Sequence, residues 1–236
     1  MKKSLTIIFV FCSLLLSACG SNTIAQPEKI LFVYDISNSA RDWVQSQITA
    51  TNTWLKTSDT ENAQVSGIVI DAYGGTDNCR RPVDETVNGE PGNNETTQKI
   101  ERDKKVSQVI QRVGDWLGCE LEASLASGSD LAIREFQGYD RVVIFSDGLL
   151  KVKTDNLDIF ALINSDSDHI EVAKTVSDSY SQKGVNLSST RFELWGLGYR
   201  KDLSATQASK LADFWTVLLT NLNVSAGDIY TNSNLP

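Results

Sequence analysis

The sequence predicts an α/β fold, a single doubly wound and mostly parallel sheet flanked by helices. Two observations lead to this prediction. Continuous apolar runs, which are typical of strands buried on both faces, alternate along the chain with segments whose apolar residues recur at helical spacing. Such alternation is typical of βαβ units around a parallel sheet. The 236 residues, 41% of them hydrophobic, are sufficient to form one large domain.

Four apolar runs predict the strands, and the helical periodicity predicts the segments between them. The strands are expected at residues 30–34, 65–73, 141–146 and 191–199. Helices are expected at residues 41–57, 99–118, 131–136, 170–182 and 205–222. Residues 74–98 are polar and rich in glycine, so they are predicted to form a long loop insertion. One doubly wound domain over residues 29–236 accounts for all of these elements.

The N-terminus has the features of a secretory signal. Lys2 and Lys3 precede a mostly apolar stretch, residues 5–18, which is shorter than the roughly 20 residues that a membrane-spanning helix needs. The segment 16–19, Leu-Ser-Ala-Cys, resembles a bacterial lipobox, in which cleavage precedes the cysteine and the cysteine is acylated. This resemblance implies a signal peptide at 1–18, a lipidated Cys19 and a short tether to residue 28. An ordinary signal peptide with a chance cysteine is the alternative.

The lipobox resemblance also implies a location. It places the protein in a bacterial cell envelope, bound to a membrane by its lipid, and the lack of Asp after Cys19 implies an outer membrane, facing the periplasm. Cys79 and Cys119 then remain, and an oxidising compartment favours a disulfide between them over two free thiols. The net charge of −8 argues against a general nucleic-acid binder, which needs a basic face.

Oxygen-bearing side chains follow two of the predicted strands. Asp35, Ser37 and Ser39 come directly after the first strand, and Asp147 follows the third. Ser129 lies in a turn between them. Ligands of open α/β sheets bind at the carboxyl ends of the strands, so these groups are expected to converge there. Hard oxygen donors favour Mg²⁺ as the cation, with Mn²⁺ or Ca²⁺ also compatible. The simpler alternative is that Asp35 and Ser37 only cap the next helix.

These residues resemble the metal-ion-dependent adhesion site of the von Willebrand factor type A domain. Asp35, Ser37 and Ser39 match the family's D-x-S-x-S element, and Ser146-Asp147-Gly148 matches its S/T-D-G ending. Gly128-Ser129-Asp130-Leu131 is similar to the G-T-D-L form of its threonine loop, with Ser129 in place of threonine. The resemblance implies a cation that is held by these five residues, with an open coordination position for a carboxylate of a partner protein.

The sequence therefore favours a membrane-anchored binding module over an enzyme. A metal-assisted hydrolase is the second hypothesis, and a metal-free scaffold of the same fold is the third. A hydrolase needs a general base or a nucleophile beside the metal. The chain has a single histidine, His169, which opens a predicted helix and is expected to have a surface or capping role, and no G-x-S-x-G motif is present.

Overall fold

A computed structural model describes residues 26–37, 40–58, 62–70, 79–89, 93–123, 133–149, 151–152, 157–199 and 203–236. Eight strands are found in these ranges: β1 Glu28–Asp35, β2 Ala63–Ile70, β3 Glu85–Thr86, β4 Arg141–Phe145, β5 Lys151–Val152, β6 Leu157–Asp158, β7 Arg191–Trp195 and β8 Ile229–Asn232. The strands β5 and β6 form a separate antiparallel pair, and the other six form one sheet.

The main sheet has the order β3-β2-β1-β4-β7-β8. Only the β2–β3 pair is antiparallel, and the other four pairs are parallel. Counted along the chain, its six strands follow the order 3-2-1-4-5-6, in which the strand order reverses direction between β1 and β4. The carboxyl ends of these two strands are therefore neighbours at the point where open α/β sheets bind ligands.

In the described part of the chain, five α-helices accompany the sheet: α1 Val44–Thr57, α2 Glu95–Ala123, α3 Ile159–Ile163, α4 His169–Gln182 and α5 Ala205–Asn221. Short 3-10 turns occupy Arg41–Trp43, Ile133–Phe136 and Ala226–Asp228. The helix α4 begins where Asp168 accepts hydrogen bonds from two backbone N–H groups of its first turn. Ser204 and Gln207 form a capping box at the start of α5.

Alternate residues of the central strands belong to two different hydrophobic clusters. Phe32 and Tyr34 of β1 pack in one cluster, which includes residues of α1 and α2. Leu31 and Val33 belong to the other, which includes residues of α3, α4 and α5. Because successive side chains of a strand point to opposite faces, a strand buried on both faces is apolar throughout. This explains the continuous apolar run of β1.

The predicted strands and helices are largely present, but several boundaries differ. The strand β7 ends at Trp195, since Gly196 and Gly198 adopt positive φ values of 91° and 70° that stop the extended chain. The helix α2 begins at Glu95 and extends to Ala123, beyond the predicted 99–118. Within the predicted 74–98 loop, the described part contains β3 and the first turn of α2, and residues 74–78 and 90–92 lie outside the described ranges.

The sequence did not predict the short elements. These are β3, the β5–β6 pair, α3 and the edge strand β8. Elements of two to five residues are too short to display a period, so they depend on pairing and packing with the rest of the molecule. The strand β8 extends the sheet by pairing in parallel with β7, from Ile229 opposite Phe192 to Asn232 opposite Trp195.

The disulfide between Cys79 and Cys119 is present, with 6.1 Å between the two Cα atoms. It joins the segment that follows β2 to the last part of α2, so the predicted pairing is confirmed. Cys19 and the predicted signal lie outside the described residues. No helix in the described part of the chain combines the length and the apolar character needed to cross a bilayer.

Candidate metal centre

Two carboxylates lie side by side at the carboxyl ends of the central strands. Asp35 is the last residue of β1, and Asp147 follows β4 by two residues. Both are almost fully buried, with 0% and 1% of the residue exposed. The parallel register that pairs Tyr34 with Phe145 brings the two ends together. The predicted convergence of Asp35 and Asp147 is therefore a consequence of strand adjacency at the switch point.

Both carboxylate oxygens of Asp35 accept hydrogen bonds. Its Oδ1 accepts from the backbone N–H of Ser37 at 2.9 Å, and its Oδ2 accepts from the hydroxyl of Ser146 at 2.6 Å. The hydroxyl oxygen of Ser146 in turn accepts from the backbone N–H of Gly148 at 2.9 Å. Ser146 thus links the carboxylate on β1 to the turn after β4 and fixes their relative position.

The buried surroundings of Asp35, together with the nearby Asp147, disfavour the ionised form of the Asp35 carboxyl group. Burial is the main reason that the pKa of Asp35 is raised to about 6, and the nearby charge of Asp147 raises it further. Hydrogen bonds from Ser146 and Ser37 oppose this effect and lower the pKa. Two buried carboxylates with adjacent hydroxyls form a set of hard oxygen donors, and a bound cation would balance their charge. The residues present therefore fit a divalent cation.

The backbone of Asp35 is held by a buried side chain of α1. The side-chain oxygen of Gln47 accepts from the N–H of Asp35 at 3.1 Å, and the side-chain nitrogen donates to the C=O of Asp35 at 2.7 Å. Gln47 has no exposed surface. One turn further along α1, the hydroxyl of Thr51 lies 3.0 Å from that of Tyr34. These polar contacts connect α1 to the end of β1.

The turn after β4 is closely packed. The Oδ1 atom of Asp147 accepts from the N–H of Leu149 at 3.0 Å, and the backbone C=O of Asp147 accepts from the N–H of Gly198 at 3.0 Å. Gly148 has a φ of 78°, and a Cβ atom there would collide with Leu197 and approach Trp215 Nε1 to 3.1 Å. The indole N–H of Trp215 donates to the C=O of Gly148. Only glycine fits this position.

Three of the five predicted ligands, Asp35, Ser37 and Asp147, lie together. Ser39 and Ser129 fall outside the described residues. Within the described ranges, no group of three or more His, Cys, Asp or Glu side chains is arranged to hold a metal ion. The donor set at this centre consists instead of two carboxylates and serine hydroxyls.

Ser146 and Gln47 are functional residues for which the sequence predicts no role. Ser146 was visible only as part of the Ser-Asp-Gly ending of the strand, and its contact with Asp35 depends on the pairing of β1 with β4. No sequence pattern indicates that Gln47 is buried, because a polar residue in an amphipathic helix is expected on the exposed face. The single histidine, His169, opens α4, where its Nε2 lies 4.0 Å from Asp213 Oδ2.

Comparisons with known proteins show limited similarity. No protein-family model matches the chain, and no curated protein sequence does. Among solved structures, the chain is similar to the pilus adhesin SpaC from Lactobacillus rhamnosus GG in its open conformation, at 11% identity and a TM-score of 0.39. It is also similar to the human COPII-coat protein Sec24c, at 12% identity and a TM-score of 0.33.

These similarities cover most of this chain and a small part of the others. The alignments include 87% and 88% of this chain, but 28% of the SpaC chain and 30% of the Sec24c chain. This chain therefore spans less than a third of either protein, and similarities of this strength carry no functional conclusion. By its own strand order and pairing, the chain is an α/β protein with a mixed, mostly parallel sheet.

Proposed function

We propose that this protein is a membrane-anchored binding module of the von Willebrand factor type A kind, which holds one divalent cation and binds a partner protein through it. The observation that carries the proposal is the buried pair Asp35 and Asp147 on neighbouring strands, with the hydroxyl of Ser146 on Asp35. The 3-2-1-4-5-6 strand order and the two hydrophobic clusters support a doubly wound arrangement.

The proposed roles of the residues follow from their chemistry. Asp35 and Asp147 bind the cation directly or through water and balance its charge. Ser37, Ser39 and Ser129 contribute hydroxyl oxygens. Mg²⁺ is the expected ion, with Mn²⁺ or Ca²⁺ as substitutes. When bound, the cation supplies an open coordination position that attracts a carboxylate of the partner. An acidic chain of net charge −8 would otherwise repel an acidic ligand.

The location is part of the same proposal. Cys19 carries the lipid that holds the domain at the membrane, and the domain faces the periplasm from the outer membrane. The Cys79–Cys119 disulfide supports an oxidising compartment of this kind. Nucleic acid is not among the proposed partners, since the net charge is −8.

Calorimetric titration of the full chain with Mg²⁺ and Mn²⁺ tests the cation site. We expect the wild type to bind and Asp35→Ala to lose at least about tenfold in affinity, which corresponds to about 1.4 kcal/mol. Asp147→Asn, a substitution of similar size, provides a second variant if Asp35→Ala fails to fold. Asp178→Asn removes an exposed carboxylate from α4 and is the matched control. Equal affinities for wild type, Asp35→Ala and Asp147→Asn would refute the assignment.

The partner is tested by crosslinking and pull-down from native membranes, with and without a chelator. We expect a crosslinked protein that disappears when divalent cations are removed and returns when Mg²⁺ is added. The same experiment with Asp147→Asn should give no such protein at any cation concentration. A partner whose recovery is the same under all of these conditions would show that binding does not depend on the cation.

A further inference from the structure

Three arginines line a cleft of about 430 Å³ beside the disulfide, and none belongs to the candidate metal centre. They are Arg80 and Arg81, which follow Cys79, and Arg112 of α2. The volume lies in the range of roughly 300–1,000 Å³ that is typical of small-molecule sites. We propose that this cleft binds a small oxyanion, a molecule with carboxylate or phosphate groups, through the three guanidinium groups.

The segment that carries two of the arginines is fixed at both of its ends. At one end, Cys79 is bonded to Cys119, and its N–H donates to the side chain of the buried Glu120 at 3.0 Å. At the other end, the C=O of Pro82 accepts from the N–H of Gly67 in β2 at 3.1 Å. Arg80 and Arg81 lie between these anchors. A ligand would therefore lose little affinity to ordering of the backbone.

The third arginine is oriented by a neighbouring acid. The Nη1 atom of Arg112 lies 2.6 Å from Glu85 Oε2 in β3, although about half of the Arg112 side chain is exposed. A guanidinium group carries five N–H donors, so Glu85 uses only some of them. The Nε atom donates to the C=O of Gln108 at 3.5 Å, and the remaining Nη donors can form the paired hydrogen bonds that guanidinium groups make with carboxylates and phosphates.

The charge of the cleft is opposite to that of the chain. Of the described residues that line the cleft, three are arginines and two are acids, Glu85 and Asp115, so arginines outnumber acids there in a protein of net charge −8. The overall field repels anions, and a local concentration of arginine is needed to hold one. An anion would have to compete with Glu85 for Arg112, so removal of the Glu85 charge should strengthen binding.

Calorimetric titrations of the full chain in detergent, in a buffer freed of divalent cations and at constant ionic strength, test the proposal. Citrate and inorganic phosphate are the two probes, and their comparison separates carboxylate from phosphate recognition. We expect at least one to bind with a dissociation constant of roughly millimolar or below. Arg80→Gln combined with Arg81→Gln should weaken binding at least about tenfold, and Glu85→Gln should strengthen it. Because no divalent cation is present, binding at the candidate metal centre cannot produce these results.

A control variant with the same change in net charge distinguishes binding in the cleft from a general electrostatic effect of the protein. Arg134→Gln combined with Arg191→Gln removes two exposed arginines that do not line the cleft and should leave the affinity unchanged. Arginine-directed dicarbonyl labelling of the wild type gives a second readout if the Arg80/Arg81 variant misfolds. A bound anion should protect Arg80, Arg81 and Arg112 but not Arg134. Absence of binding by both probes, an equal loss in the control, or uniform labelling would each overturn the proposal.

Discussion

The side-chain amide of Gln47 makes two hydrogen bonds to the backbone of a single residue, Asp35. It accepts from the N–H at 3.1 Å and donates to the C=O at 2.7 Å, and it is fully buried. Asp35 is the last residue of β1, where regular pairing of the sheet ends. An amide side chain has the donor and the acceptor that this backbone position requires. Gln47 is therefore a positioning residue for the carboxylate of Asp35.

Replacement of Gln47 by Leu should lower both stability and cation affinity. The variant leaves a buried N–H and a buried C=O without these partners, at a cost of about 3 kcal/mol in unfolding free energy. The expected loss of Mn²⁺ affinity is about tenfold, since Asp35 is no longer held in place. Urea unfolding and calorimetry give the two values. Thr49→Val removes an exposed hydroxyl of the same helix and should change neither. A stable Gln47→Leu variant with wild-type affinity would contradict this role.

The raised pKa of Asp35 predicts an unusual dependence of stability on pH in the metal-free protein. The pKa rises from 3.8 to about 6 on folding, so the contribution of Asp35 is fully present below 3.8 and is lost as the pH rises through 6. A shift of this size corresponds to on the order of 3 kcal/mol. The unfolding free energy of the wild type, relative to that of Asp35→Asn, should therefore fall by this amount between about pH 4 and about pH 7.

Chemical denaturation of both proteins at several pH values measures that difference. The subtraction cancels the titrating groups that do not interact with Asp35, whereas the repulsion between Asp35 and Asp147 remains part of the difference. Addition of Mg²⁺ at neutral pH should restore the stability of the wild type and leave Asp35→Asn unchanged. A difference between the two proteins that stays constant with pH would show that Asp35 has an ordinary pKa in the folded state.

Glycine at position 148 should be far less replaceable than glycine at position 184. Both have positive φ values, 78° and 82°. A Cβ at Gly148 would collide with Leu197 and crowd Trp215, whereas a Cβ at Gly184 meets nothing within 4 Å. We expect Gly148→Ala to cost about 3 kcal/mol or more and Gly184→Ala about 1 kcal/mol. Thermal and urea unfolding of both variants test the difference. An equal loss of unfolding free energy in the two variants would mean that backbone conformation, and not packing around the turn, is the reason that glycine is needed at position 148.

Reduction of the Cys79–Cys119 disulfide should destabilise the fold. The bond closes a loop of 40 residues, which in the chain-entropy model corresponds to about 4 kcal/mol. Urea unfolding before and after treatment with a thiol reductant measures this loss. The paired substitution of both cysteines by serine should match the reduced wild type and respond to no reductant. An unchanged unfolding midpoint after verified reduction would contradict the expected effect.

The strands β1, β2, β4 and β7 and the longer helices could be predicted from the sequence, because continuous apolar runs and helical periodicity are local properties. The sequence also predicted the convergence of Asp35 and Asp147, since each follows directly from the end of an apolar strand. The disulfide was predicted because only two cysteines remain after the signal and the lipidated position are removed. The strands, the helices and the two carboxylates are predicted from a few consecutive residues, and the disulfide is predicted from the number of cysteines.

The groups that support those carboxylates depend on contacts formed in the folded protein. The contact of Ser146 with Asp35 requires the pairing of β1 with β4, and the two bonds from Gln47 require the packing of α1 against the end of β1. The cleft of Arg80, Arg81 and Arg112 exists because the disulfide joins one segment to α2 and the Pro82–Gly67 hydrogen bond joins it to β2. These contacts join residues far apart in the chain, and no local pattern encodes them.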